Sequence, residues 1–201
     1  DLHSFPTRRS SDLWQKRSDV CIMMLDATQG LTEQDKKIAG LAHESGKGIV
    51  VVVNKWDLVE KDTNTMKEFK NKIKAELAFM SYAPYLFISA KTGQRAFDVL
   101  DMAKAVAENC AMRVSTGQLN SLLQDAILMK HPPSDKGKSL KVYYVSQVGV
   151  KPPLFSFKIN KRELMHFSYS RYLENKIREA FGFEGTSIKF VFREKGAKED
   201  V

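Results

Sequence analysis

The chain has 201 residues, of which 43 % are hydrophobic and 28 % charged, the balance of a globular protein. No apolar run approaches the roughly 20 residues of a membrane-spanning helix, so a helical membrane protein is excluded and a cytoplasmic location with no membrane partner is expected. The 32 Lys and Arg outnumber 24 Asp and Glu, giving a net charge of +8, which favours a polyanionic partner, although a generally basic solvated surface gives the same sum.

Residues 1–13, Asp1-Leu2-His3-Ser4-Phe5-Pro6 through Leu13, fit nothing that should precede a first strand. They resemble translated sequencing-adapter sequence; a disordered tail is the other reading, since a polar, proline-interrupted stretch cannot bury enough apolar surface to order itself. They contain no apolar segment of the kind a secretory signal needs.

From there the pattern is β-α-β. Val20 to Leu25 is predicted as a buried strand, Glu33 to Glu44 as a helix capped by Thr32, and Ile49 to Val53 as the next strand. Asn64 to Phe79, with Met66, Phe69, Ile73 and Leu77 at helical spacing, predicts a second helix, followed by a strand at Tyr85 to Ile88 and a helix at Ala96 to Cys110. Cys21 and Cys110 are read as lone thiols in a reducing compartment, and neither they nor the four histidines have metal-ligand spacing, so no metal site is expected here.

Near Met112 to Gly117 the rhythm stops, and the chain divides into 14–112 and 113–199. The second part reads as a helix at Gln118 to Met129 and a polar loop at His131 to Ser139, then strands at Leu140 to Val148 and Leu154 to Ile159. A short helical piece at Arg162 to Phe167, a helix at Ser170 to Phe181 and a strand at Ser187 to Arg193 complete it.

Two motifs carry chemistry. The apolar run at 48–53 delivers Asn54, Lys55 and Asp57 to its carboxyl end, where open α/β sheets bind ligands. The Asp57 carboxylate can accept two N–H bonds from a guanine edge, and the Lys55 stem can lie over the purine while its ammonium stays solvated. The strand at Tyr85 to Ile88 runs into Ser89, Ala90 and Lys91, a turn that can aim a backbone N–H at the purine carbonyl oxygen and so reject adenine, which has a donor there. Alone, each motif also reads as an ordinary strand-to-helix turn with a polar cap.

Asn54-Lys55-Trp56-Asp57 and Ser89-Ala90-Lys91-Thr92-Gly93 resemble the guanine-reading motifs of Ras-like, P-loop GTPases. More narrowly, Leu25-Asp26-Ala27-Thr28-Gln29-Gly30, Gln147-Val148-Gly149-Val150-Lys151-Pro152-Pro153 and Ala180-Phe181-Gly182-Phe183-Glu184-Gly185 are similar to the Der (EngA) family of bacterial tandem GTPases. The similarity runs from about Arg17 to Glu199 and covers the second half of that family's second G domain and its KH-like domain. It implies an α/β fold, a partial Ras-like three-layer sandwich followed by an α+β KH-like domain of type II. It also implies GTP or GDP as the nucleotide and the large ribosomal subunit or its RNA as partner.

The sequence has no Gly-x-x-x-x-Gly-Lys-[Ser/Thr] loop to cradle phosphates and hold magnesium. Asp26 is read as a turn or cap residue. The phosphate cradle, the Mg site and the hydrolytic switch are expected upstream, leaving no catalytic residue here and a chain inactive alone. Without the P-loop strand beside Val20 to Leu25, residues 14–112 are expected to be poorly stable or self-associating, and 113–199 to fold independently.

A KH domain clamps single strands with a Gly-x-x-Gly loop between its central helices, but His166-Phe167-Ser168-Tyr169 occupies that place. Gly182-Phe183-Glu184-Gly185 has the letters yet is better read as a helix C-cap and turn. RNA contact is left to basic residues: Lys136, Lys138 and Lys141 on one loop, Lys158, Lys161 and Arg162 on another, and Arg171, Lys176 and Arg178 along a helix. Interleaved Glu174 and Glu179 suit a solvated face equally well. Two functions are compatible with the sequence: the guanine-reading fragment of a GTPase of ribosome biogenesis, or a nucleotide-independent RNA- or ribosome-binding module.

Overall fold

The computed structural model describes residues 18–60, 62, 64–135 and 137–196, and its contacts cluster into two compact units. The proposed tail at 1–13 and Lys136 lie outside the described residues.

The first unit runs to Cys110 and also includes Glu184–Ser187. Strands β1 (Val20–Asp26), β2 (Gly48–Asn54) and β3 (Tyr85–Phe87) form a parallel sheet in that order. Its helices are α1 (Glu33–Glu44), α2 (Thr65–Glu76) and α3 (Asp98–Ala111), the last ending at the unit boundary. β2 is the central strand, and its Ile49 to Val53 run is buried throughout because both faces are covered. Val51 and Val53 pack with Ala39 of α1, Ile73 of α2 and Phe87. Val50 and Val52 pack on the opposite face with Val99, Val106 and Cys110 of α3.

Local chemistry sets the helix starts. Thr32 closes a capping box, its hydroxyl accepting from the Asp35 N–H while the Asp35 carboxylate accepts from the Thr32 N–H. Asn64 makes no side-chain cap; Asp62 does this work instead, accepting from the N–H groups of Asn64 and Thr65, both at 2.7 Å. The second helix stops at Glu76, and a 3-10 turn at Ala78–Met80 replaces its predicted last turn.

β1 is not the buried strand its composition suggests. Among the described strands it is an edge, with Ile22 at 44 % and Met24 at 54 % exposure, while Leu25 on the other face is buried. The apolar run marks a strand; what covers it decides burial.

The second unit has α4 (Thr116–Met129), a short β4–β5 hairpin (Ser134–Asp135, Lys138–Ser139), β6 (Val142–Gly149), β7 (Leu154–Ile159), α5 (Phe167–Phe181) and β8 (Lys189–Glu194). Its three-stranded sheet has the order β6-β7-β8, antiparallel then parallel. Leu119 and Leu123 of α4 and Leu173 and Ile177 of α5 pack on Val145, Phe155 and Phe157, leaving uncovered a sheet face that mixes Tyr144, Val148 and Val191 with Ser146, Lys158 and Arg193. The predicted helix near Arg162 is a single 3-10 turn at Arg162–Leu164, and α5 begins three residues earlier than the sequence suggests. Tyr169 explains the early start: its ring is buried and its hydroxyl donates to the Lys130 carbonyl, pinning the first turn of α5.

Within the first unit, Gly185 has φ +77 and its N–H donates to the Tyr82 carbonyl while its own carbonyl accepts from Ile49 N–H. A Cβ there would sit 2.2 Å from Val106 Cγ2. Gly185→Ala is therefore expected to destabilise the first unit by about 2 kcal/mol, through overpacking and a disfavoured φ, read as a lower midpoint in denaturant unfolding. For the exposed β1 face, Met24→Lys is expected to reduce self-association in sedimentation velocity; an unchanged distribution would clear this edge as the cause.

Candidate functional site

The ends of β1, β2 and β3 meet at one rim. In the parallel register Asp26 lies beside Asn54, and Asn54 reaches across to the turn that follows β3. Its Oδ1 accepts two backbone N–H bonds, from Lys55 at 2.8 Å and from Ala90 at 3.0 Å. Both lone-pair directions of one carbonyl are thereby filled, and the Asn54–Asp57 loop is tied to the Ser89–Lys91 turn.

Trp56 anchors the same loop from below. Its ring is buried 4.6 Å from the Phe87 centroid and 5.6 Å from that of Phe69, and the Trp56 backbone N–H donates to Ile88 O at 3.0 Å. Trp56 is buried in a short 3-10 turn, Trp56–Leu58, in which Asp57 is half-buried, and Lys55 just before it is exposed. Lys55 has φ 62, a left-handed conformation that costs a non-glycine residue about 1 kcal/mol and is sustained here by the bond to Asn54.

The β3 turn is equally ordered. Ser89 is buried, its N–H donates to Gln94 O, and its hydroxyl accepts from the Thr92 N–H at 3.2 Å. Ala90 and Lys91 are exposed at the rim. The Ala90 N–H, the group suited to a purine carbonyl, is engaged by Asn54 here.

Asp26 belongs to this rim as well. Its Oδ1 accepts from the Thr28 N–H at 2.8 Å and hydroxyl at 2.6 Å, the turn role read from sequence, but its Oδ2 lies 2.6 Å from Lys55 Nζ. The Lys55 ammonium first, then the Thr28 donors, hold its carboxyl down at about 2. Sequence reading missed this pairing; parallel register, placing the ends of β1 and β2 side by side, was the available signal. An open hollow of about 350 Å³ adjoins it, with Asp26, Gly30 and Thr32 in its wall.

In the second unit, Lys138, Lys141, Lys158, Lys161, Arg162 and Arg171 are all exposed. Asn160 ties the loops bearing four of them together: its Nδ2 donates to Ser139 O, and its Oδ1 accepts from the N–H groups of Lys141 and Lys161, each at 2.9 Å. Along α5 the cations differ. Lys176 pairs with Glu179 at 2.7 Å, and Arg178, its side chain 16 % exposed, donates from Nε and Nη2 to Glu174 and from Nη1 to the Phe183 carbonyl. Gly182 is the C-cap of α5 with φ 88, and Glu184–Gly185 is a turn, so the Gly-x-x-Gly letters there mark a helix end. At the clamp position the helix starts directly after His166.

Among the described residues no helix is long and apolar enough to cross a membrane, and no group of three or more His, Cys, Asp or Glu could hold a metal ion.

Comparison with known proteins agrees with this architecture. The elongation factor Tu GTP-binding domain model matches residues 12–109, and the KH-domain-like C-terminal model of EngA bacterial GTPases matches 113–193. GTPase Der of Alkaliphilus oremlandii is 58 % identical over 184 residues, and that of Desulfitobacterium hafniense 59 %; each alignment covers 92 % of this chain and 42 % of the relative. The chain thus spans less than half the length of these relatives. A structure of Era in complex with MgGDPNP and nucleotides 1506–1542 of 16S ribosomal RNA is similar at TM-score 0.40 and 14 % identity, covering 90 % of this chain and 67 % of that one. A Ras-like α/β unit ending in paired guanine-type motifs, a KH-like unit and relatives of this identity lead to one conclusion: the chain belongs to the GTPase Der (EngA) family.

Proposed function

We propose that this chain supplies the base-reading side of a guanine-nucleotide site and an RNA- or ribosome-contacting KH-like unit, within a cytoplasmic GTPase of large-subunit ribosome assembly. The observation that carries it is the Asn54 carbonyl, which draws the loops of Asp57 and of Ser89–Lys91 to one rim by two hydrogen bonds.

At that rim the Asp57 carboxylate would accept the ring N–H and amino N–H of guanine, a donor pair that adenine does not present to it. The Lys55 stem would lie over the purine, its ammonium steered by Asp26. The purine carbonyl would take an N–H of the Ala90–Lys91 turn, sharing or displacing the present Ala90 bond to Asn54. GTP would bring the phosphates and their Mg²⁺; the sequence holds no Gly-x-x-x-x-Gly-Lys-[Ser/Thr] loop for them, so no hydrolytic step is assigned to these residues. The exposed cations around Asn160 and Arg171 are suited to the ribosomal RNA backbone.

A second reading, a nucleotide-independent RNA- or ribosome-binding module, has its own support. The Ala90 N–H and the Lys55 ammonium both have partners within the chain, Asn54 and Asp26.

Saturation-transfer NMR with nucleosides, which registers weak ligands, separates the two. Guanosine is expected to receive more saturation than adenosine, and Asp57→Asn to shift the preference to xanthosine, whose extra carbonyl needs a donor. Equal transfer to all three in both proteins would overturn base reading and leave the RNA module.

The Asp26–Lys55 pair also makes a pH prediction. Because the folded carboxyl is depressed from 3.8 to about 2, the pair is fully formed above the ordinary carboxylate range and is lost as pH falls from about 4 through 2. The Asp26 carboxyl carbon should titrate near 2 by NMR, and Lys55→Ala should raise that midpoint; an unmoved midpoint would remove Lys55 as its cause.

A further inference from the structure

The helices of the second unit cover one face of its sheet, and the other face is built differently from an ordinary solvated surface. Cross-strand register sets Tyr144 of β6 beside Lys158 of β7, and Lys158 beside Arg193 of β8, so an aromatic ring and two cations form one row across all three strands. The next row holds the hydroxyls of Ser146 and Ser156. Together these side chains line an open hollow of about 340 Å³. Among the described residues of its wall the carboxylate is Glu194, which accepts the Arg162 N–H at 2.7 Å.

A register shift between Val142 and Tyr144 adds a second ring. Strict alternation would send Tyr143 toward the core if Tyr144 faces out, yet both are exposed, and the Lys195 ammonium lies 5.3 Å from the Tyr143 centroid. Rings interleaved with Lys and Arg on a sheet are the chemistry that holds unpaired bases by stacking and their phosphates by charge. Duplex RNA keeps its bases stacked inside and would leave the rings unused.

We propose that this open sheet face, centred on Tyr144, Lys158 and Arg193, is a binding surface for single-stranded RNA. It is separate from the helix side on which a Gly-x-x-Gly clamp would operate. The inference rests on the RNA half of the proposed function and assigns its location.

The test is fluorescence anisotropy of the full chain with a short labelled single-stranded RNA across a salt series. Lys158→Ala and Arg193→Ala should each weaken binding and lower the slope of log Kd against log salt by about one. Tyr144→Leu should weaken binding about tenfold with the slope unchanged, because stacking carries no counterions. Lys104→Ala, exposed on α3, should change neither. In spectra of the unmodified chain, RNA should shift the amides of β6, β7 and β8, a readout independent of how any variant folds. If RNA binds but the sheet variants match the parent, or Arg171→Ala alone abolishes binding, this location is wrong and the RNA reading stands. If duplex RNA or polyglutamate binds as tightly as the single strand, the face is a general anion surface and the inference fails. Absence of any RNA binding by the parent chain overturns the RNA reading along with it.

Discussion

The rim of the first unit depends on one side-chain carbonyl. Asn54 Oδ1 accepts from Lys55 and Ala90, residues 35 positions apart in sequence, and through them it determines where Asp57 and the Ser89–Lys91 turn can stand. A hydrogen bond between neutral groups contributes only about 1 kcal/mol net, but leaving two backbone donors unpaired would cost more than that. Its consequence is therefore larger for geometry than for stability. Trp56 contributes the complementary restraint: an apolar anchor in a motif of polar residues holds the loop down while Asn54 holds it sideways.

The same device recurs in the second unit. Asn160 joins the loops of Ser139 and Lys141 to the loop of Lys161 through three backbone groups, and Asn120 makes a paired bond to the N–H and C=O of Val145, fixing α4 to β6. Gln147 bonds Met112 O and the Val114 N–H. An amide offers a donor and an acceptor on one planar group, so it can satisfy two strands of loop that no regular ladder reaches. Charged groups fill the remaining role at these positions, as Asp26 does for Lys55.

Much of this was legible in sequence because the informative signals were local. The apolar run of β2 reads as a doubly covered strand from its five consecutive apolar residues, and Thr32 as a cap from its place before a helical period. The α/β and KH-like assignments followed from element order and the family resemblance. What sequence could not show was non-local. Exposure of Ile22 and Met24 depends on what lies over β1, and the early start of α5 depends on a tyrosine hydroxyl meeting the end of α4. The pairing of Asp26 with Lys55 needs the strand register, since the two residues belong to different motifs when read along the chain.

The charge of this protein also looks different once partners are assigned. Counted along α5, Lys176 and Arg178 make a basic stripe, yet each meets a glutamate one turn away, and Arg178 further bonds the Phe183 carbonyl beyond the helix end. A guanidinium bound to a carboxylate and a carbonyl in a mostly buried setting stabilises the helix terminus, where a cation also meets the negative end of the helix dipole. On β7 the arrangement differs, because side chains two apart on a strand share a face and the cross-strand neighbours of Lys158 are Tyr144 on one side and Arg193 on the other. Pairing thus neutralises part of the helix charge locally, while register sets Lys158 and Arg193 side by side on the sheet and Asn160 gathers the loops that carry Lys141 and Lys161.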